Sequence, residues 1–217
     1  MSIAILSAHQ LTWQSQYITF GPLDLEFNEG ERIAILGEEA SGLSTLLRLL
    51  SGLIQPKQGI INLLGKSLAT VDDRQRANMI GVLFDHVDQQ FLTATVGAEI
   101  SLAHHVELDS TRSAAYLSQA GLAHMDLQRP LHQLSASERY RVAVASVLAA
   151  KPRIILADEP GSALSDHGEL EFADSLRALC DRTGVTMVTM TSRKSRAKLF
   201  GDQIITLTKG RIRDEGV

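Results

Sequence analysis

Arg32-Ile-Ala-Ile-Leu36-Gly37-Glu38-Glu39-Ala40-Ser41-Gly42-Leu43-Ser44-Thr45-Leu46-Leu-Arg-Leu-Leu50 is the stretch on which the reading of this chain turns. Its first five residues form an apolar run of strand length, the kind expected of a strand covered on both faces. Its last five read as a helix, and glycines 37 and 42 bracket the loop between them. Strand, glycine loop, helix is the setting in which backbone N–H groups and a helix N-terminus cradle phosphate. In such a loop a lysine reaches the β/γ-phosphates and a Ser or Thr holds magnesium. The stretch matches the G-x4-G-K-[S/T] pattern everywhere except at the lysine, where Leu43 stands. Taken alone, it reads equally well as a plain strand-to-helix turn.

Outward from this stretch, apolar runs of strand length recur. They fall at Ile3–Leu6, Leu23–Phe27, Gly59–Leu63, Ile80–Phe84, Arg153–Ala157, Val185–Met190 and Gln203–Leu207. Those at 80–84, 153–157 and 185–190 are apolar throughout like 32–36, which predicts a doubly covered parallel core sheet. The early runs alternate more and are separated by turns, which predicts an antiparallel edge sheet. Between Phe91 and Leu134 the pattern turns helical, with Thr95–His104 and Ser110–Gln119 free of strand signal. No repeat, low-complexity segment or Pro/Gly-rich linker divides the 217 residues, so one domain over 1–217 is expected, with a helical subdomain at about 91–150.

Composition narrows the function classes. A hydrophobic share of 44% with 21% charged residues is ordinary for a globular protein. A net charge of −4 argues against broad electrostatic binding of nucleic acid. Cys180 is the only cysteine, so no internal disulfide is possible and a reducing cytoplasm is expected. Within its helical pattern that cysteine reads as a small core side chain. No apolar run approaches the ~18–20 residues of a membrane span and no signal-peptide pattern opens the chain, so any membrane role is peripheral.

Two further motifs carry chemistry. Leu134-Ser135-Ala136-Ser137-Glu138 has the S-x-x-E spacing of a capping box at the head of a helix. Arg153-Ile-Ile-Leu-Ala-Asp158-Glu159-Pro160 is an apolar strand ending in two carboxylates. One acid there suits magnesium and the other a hydrolytic water, while a solvated acidic turn is the plainer reading.

The order and spacing of the three motifs together resemble the ATP-binding-cassette (ABC) ATPases over nearly the whole length. LSASERYRVAVASVLAAKPRIILADEPGSAL, residues 134–164, looks like that family's signature helix running into its Walker B strand and D-loop. Residues 80–96, IGVLFDHVDQQFLTATV, resemble the Q-loop of energy-coupling-factor (ECF) importers of vitamins or of cobalt and nickel ions. The resemblance implies an α/β fold of the P-loop NTPase class. Its mainly parallel core sheet is flanked by helices, with an N-terminal antiparallel β-subdomain and an inserted helical subdomain. It implies ATP and Mg2+ as cofactors, the loop residues Gly37, Ala40, Ser41, Gly42, Leu43, Ser44 and Thr45 around the phosphates, and Ser44 with Asp158 at the metal. Glu159 takes the place of the base.

Carried across residue by residue, the resemblance also exposes departures. Leu43 stands for the phosphate-binding lysine, Asp85 for the Q-loop glutamine and Ser165 for the D-loop aspartate. Ser192 falls where the switch histidine belongs. The adenine-stacking aromatic falls at about Ser15, with Trp13 and Tyr17 as the nearest replacements. The signature keeps Ser135, but its two glycines have become Ala136 and Ser137, which places Ser135 and Ser137 at a partner's nucleotide. Glu38 and Glu39 add negative charge to the loop. The expectation is a site with weak or lost ATP binding and little hydrolysis of its own.

Three other features have plain readings. His104-His105 are adjacent and so diverge on a helix, which fits surface histidines better than a metal site. The basic run Ser192–Lys198 reads as a solvated helix, with a phosphate or headgroup contact as the lesser alternative. Leu170, Ala173, Leu176 and Leu179 are spaced as a core stripe.

The leading functional expectation is a peripheral importer subunit at the cytoplasmic face of the cell membrane. There it is paired with a second, intact ABC ATPase subunit and with transmembrane subunits, with no nucleic-acid partner. The enzyme alternative is a self-sufficient ABC ATPase homodimer. A third class, a soluble ABC protein of repair, translation or signalling, usually carries two cassettes or long insertions, neither of which is present.

Overall fold

The computed structural model describes residues 4–16, 19–38, 41–104 and 109–213. Of the residues named above, Tyr17, Glu39, Ala40 and His105 lie outside the described residues, as does Ile3 at the head of the first expected strand.

Two sheets form. The first is antiparallel throughout and joins β1 (Ala4–Gln14), β2 (Thr19–Asn28), β4 (Gln58–Leu63) and the short β5 (Lys66–Ser67) in the order β2-β1-β4-β5. The second contains β3 (Arg32–Gly37), β6 (Ile80–Leu83), β7 (Ile154–Asp158), β8 (Thr186–Thr191), β9 (Gln203–Thr208) and β10 (Arg211–Arg213). Its order is β10-β9-β3-β8-β7-β6, parallel from β9 to β6, with β10 returning antiparallel on the edge. The apolar runs at 32–36, 80–84, 153–157 and 185–190 are thus four of the five parallel strands, as their uninterrupted hydrophobicity predicts, and β9 is the fifth. β5 and β10, of two and three residues, are too short to leave a periodic signal.

Both faces of the parallel sheet are covered, and the period-two alternation of its strands sorts side chains between two cores. On β7, Ile154 and Leu156 join the antiparallel sheet and α1 (Leu43–Leu50) in one core. Ile155 and Ala157 face the other, formed with α3 (Val96–His104), α4 (Ser110–Gln119), α5 (Ala136–Ala149), α6 (Asp166–Thr183) and α7 (Lys194–Phe200). A remaining helix, α2 (Asp73–Met79), leads into β6.

Side-chain caps set several helix starts. Asp72 accepts from the Gln75 amide, Asp109 from Arg112 and Ser165 from Gly168. Ser165, the D-loop residue of the resemblance, is therefore the N-cap of α6. Two sequence expectations are corrected here. Leu170 is 52% exposed on α6, so the core stripe is Ala173, Leu176 and Leu179 without it. In the basic run, Arg196 and Ala197 are buried rather than solvated. Cys180 is buried as expected, and burial pushes its thiol up to about 11.

Candidate functional site

The C-terminal ends of β3, β7 and β8 bring the candidate residues together. This is the edge of a parallel sheet where loops gather and ligands bind in open α/β folds. β3 ends at Gly37, beyond which the Ser41 amide donates to the Glu38 carbonyl at 3.0 Å. Gly42, at φ +96°, makes the left-handed turn into α1, a conformation that glycine adopts without steric cost. Gly37 is required by close approach: a β-carbon there would meet Ser41 Oγ at 2.5 Å and the Leu43 side chain at 3.2 Å.

Leu43 is a core residue. Its side chain is 8% exposed and belongs to the core that contains Ile33, Ile35 and Leu46. Ser41 Oγ, packed over Gly37, is buried and has no hydrogen-bond partner among the described residues. Glu38 is exposed, so its charge is directed to water and weighs little on the loop. Thr45 is half-buried and Ser44 exposed.

Ser44 and Asp158, the expected metal ligands, come close together. Ser44 stands beside the Asp158 carboxylate, which is 7% exposed at the end of β7. Burial raises Asp158 above the usual carboxylate range; the Ser44 hydrogen bond opposes this, and the like charges of Glu159 and Asp85 add to it. Asp85 thus stands near the corner, and its Oδ1 accepts from Ser162 Oγ at 2.6 Å, tying the Q-loop segment to the turn after Glu159. The segment closes on itself through the Phe84 amide, which donates to Gln90 Oε1 at 3.2 Å.

Glu159 and Ser192 meet directly. The Ser192 amide and hydroxyl both donate to Glu159 Oε1, at 2.6 and 2.8 Å. On Oε2, Thr191 Oγ1 donates at 2.7 Å and Arg196 Nη1 at 2.6 Å. Sequence reasoning missed Thr191 and Arg196. Nothing local announces them, because Arg196 sits 37 residues beyond its carboxylate.

Ser135 and Ser137 sit apart from this cluster, at the head of α5. The capping box is complete: Ser135 Oγ accepts from the Glu138 amide at 3.2 Å, and the Ser135 amide donates to Glu138 Oε2 at 2.8 Å. The Ser135 hydroxyl also donates to Glu138 Oε2, at 2.9 Å, so its single proton is committed. Arg129 balances the carboxylate at 2.8 Å. The Ser135 amide and hydroxyl, then Arg129, hold Glu138 below the usual range although burial opposes them, so the signature turn carries an anion. Trp13 pairs with Phe20 across β1 and β2 and packs against the first core, which gives this aromatic a structural place.

The donor set can be tested against ATP with Mg2+. Ser44 and Asp158 are hard oxygen ligands of the kind magnesium takes. The first-turn amides of α1 and the unpartnered Ser41 hydroxyl are donors for phosphate oxygen. The cofactor fits, short of the lysine cation.

A family model described as "ABC transporter" matches residues 20–162. This chain belongs to the ABC transporter family. The cassette is 31% identical over 199 residues to the energy-coupling factor transporter ATP-binding protein EcfA1 of Listeria monocytogenes, covering 89% of this chain and 71% of that protein. It is 35% identical over 202 residues to the sulfate/thiosulfate import ATP-binding protein CysA of Brucella melitensis, covering 89% of this chain and 55% of that one. Among solved structures it resembles cbiO1 of Clostridium perfringens, part of the ABC transporter complex cbiONQ. The TM-score is 0.83 at 25% identity, over 97% of this chain and 87% of the other. It also superimposes on the ATP-binding cassette MJ0796, a dimer bound to ADP and Pi, with TM-score 0.85 at 26% identity over 96% of each chain. The ECF resemblance read from residues 80–96 agrees with EcfA1 and cbiO1. Among the described residues, no helix of this cassette is long and apolar enough to cross a membrane.

Proposed function

We propose that this chain is an ATP-binding subunit of an ECF-type importer whose own nucleotide site is catalytically impaired, turnover being supplied by a second, intact ATPase subunit. The chain acts as one cassette with its helical subdomain at about 91–150, peripheral to the cytoplasmic face of the membrane. The observation that carries the reading is Leu43. The residue expected to place positive charge at the β/γ-phosphates is an apolar side chain buried in the core beneath the loop. Asp85 and Ser192 remove two further partners of the attacking water and the developing charge.

ATP supplies the phosphoryl group and Mg2+ its charge neutralisation. In this chain Ser44 and Asp158 would hold the metal, and Ser41 with the loop amides the phosphates. Toward the partner's nucleotide the chain offers the N-terminus of α5. Because the Ser135 proton is committed to Glu138, that contact falls on the amides of Ala136 and Ser137, which have no partner within the helix. The ionised Glu138, balanced by Arg129, makes it a weaker anion site than an uncharged turn.

For the membrane subunits, the supported contact is the groove between α2, β6 and the helices α3 and α5, with a volume of about 360 Å3. Leu53, Leu92 and Leu102 line it at 53%, 79% and 46% exposed. They are three of the five large exposed hydrophobic residues among the described residues, which concentrates apolar exposure on this face. A helix of a transmembrane subunit is the occupant such a groove fits.

The deciding experiment measures ATP hydrolysis by the complex of this chain with an intact ATPase subunit and the membrane subunits. Ser135→Arg puts bulk at the head of α5 and is expected to abolish activity, whereas Asp158→Ala leaves most of it. Ser135→Asp, which keeps a cap acceptor but adds negative charge, separates loss of the contact from loss of the cap. A self-sufficient homodimer predicts comparable damage from Ser135→Arg and Asp158→Ala. Full activity in both signature variants, or low-micromolar ATP affinity of the chain alone by calorimetry, overturns the proposal.

A further inference from the structure

We propose that Arg196 is a positioning residue that turns Glu159 into a structural carboxylate, pinning the ends of β7 and β8 to α6 and α7 and leaving no base at this site. This deepens the impaired-site reading above, but it stands on different residues from Leu43.

The first observation is occupancy. An ionised carboxylate has about four lone-pair directions. In Glu159 all four are taken: Oε1 by the amide and hydroxyl of Ser192, Oε2 by Thr191 Oγ1 and Arg196 Nη1, at 2.6 to 2.8 Å. A general base needs a free lone pair within reach of the proton that it takes. None is left to a water.

The second is burial of the cation. Arg196 is 5% exposed, and its guanidinium bridges two carboxylates, Nη1 to Glu159 just beyond β7 and Nε to Glu169 on α6. The two glutamates are themselves largely covered, at 20% and 13%. A buried arginine without its carboxylates is costly, so the charge holds Glu159 as much as Glu159 holds it. The guanidinium's planar fork can serve both acids at once, which the single ammonium of a lysine cannot.

The third is backbone commitment. Glu159 sits at φ +44°, a region that non-glycine residues seldom enter. Its amide donates to the Met190 carbonyl at 2.8 Å, and its carbonyl accepts from Ser162 at 3.1 Å. Main chain and side chain are anchored together. Burial alone would raise its carboxyl, yet the donors from Ser192, Thr191 and Arg196 outweigh this and hold it below the usual range.

The test uses the chain alone, without nucleotide or partner, so its failure leaves the subunit reading untouched. Thermal unfolding is compared for wild type, Glu159→Gln, Arg196→Met and the double variant. Each single change is expected to lower the midpoint by about 5 °C or more. The double variant should lose clearly less than the sum, because both changes break one interaction. In Glu159→Ala, the Ser192 amide loses its acceptor and should exchange hydrogen about tenfold faster or more. Should Arg196→Met fail to fold, adding Glu159→Gln and Glu169→Gln removes all three charges together and is expected to restore folding. An unchanged midpoint in Glu159→Gln, strictly additive losses, or a Ser192 amide already unprotected in wild type overturns the proposal.

Discussion

Leu43 has two consequences that pull in opposite directions. As a side chain 8% exposed under the phosphate loop, it contributes to the first core, and Leu43→Ala should cost about 2–3 kcal/mol of unfolding free energy. Denaturant titration measures this, and a change within error would mean that the loop does not lean on the core. Leu43→Lys gives up the same packing, so its midpoint should fall too. Its ammonium, however, restores a charge near the phosphates. ATP affinity by calorimetry should therefore rise by roughly tenfold, on the order of 1.4 kcal/mol. Stability and affinity moving in opposite directions in one variant is the signature of a core residue standing in a binding position.

The head of α5 shows the same tension between structure and ligand at the scale of one element. Its capping box satisfies the amides of Ser135 and Glu138, and Ser135→Ala should cost about 1 kcal/mol. The pH dependence follows from Glu138, which the Ser135 amide and hydroxyl and then Arg129 hold below its ordinary value. A depressed carboxyl contributes stability in full above the unfolded-state pKa, about 4.3, and loses it as pH falls through the lower folded value. Glu138→Gln should therefore destabilise the chain at neutral pH and flatten the fall in its stability on acidification below about pH 4.3. Unfolding curves across that range check this, and an acid limb identical to wild type would remove the capping carboxylate from the account.

At the scale of the molecule, the parallel sheet separates two cores, and the helical one is centred on aromatics. Phe172 is 1% exposed, meets Tyr140 edge-on at 5.3 Å and Phe200 at 6.0 Å, and carries the Arg141 guanidinium 5.9 Å from its ring centroid. It joins α5, α6 and α7, so Phe172→Ala should cost about 3–5 kcal/mol and lower the midpoint by roughly 10 °C. Cys180 offers an independent probe. With its thiol buried and pushed up to about 11, it should stay unlabelled by thiol reagents in the folded chain and react as the molecule unfolds. Labelling of Phe172→Ala should accelerate in step with its loss of stability. Rapid labelling of wild type would place Cys180 in a segment that opens locally.

The amino-acid sequence by itself determined whatever is written in short windows. Uninterrupted apolar runs set the parallel strands at Arg32, Ile80, Ile154 and Thr186. The S-x-x-E spacing set the cap of α5, and the order of three motifs announced the ABC family. These are properties of neighbours a few residues apart, and local geometry reads them directly. Only the tertiary structure decided what the site's polar groups are attached to. Arg196 lies in a basic run that local pattern reads as solvated. Folding buries it between Glu169 and Glu159, which are 27 and 37 residues away in the chain. Leu170 fits the helical period of a core stripe, yet it faces solvent, because the period fixes a face but not how much of that face a neighbouring element covers. An ion pair closed across two helices and the turn after a strand depends on the packing of all three, and no window of sequence contains that.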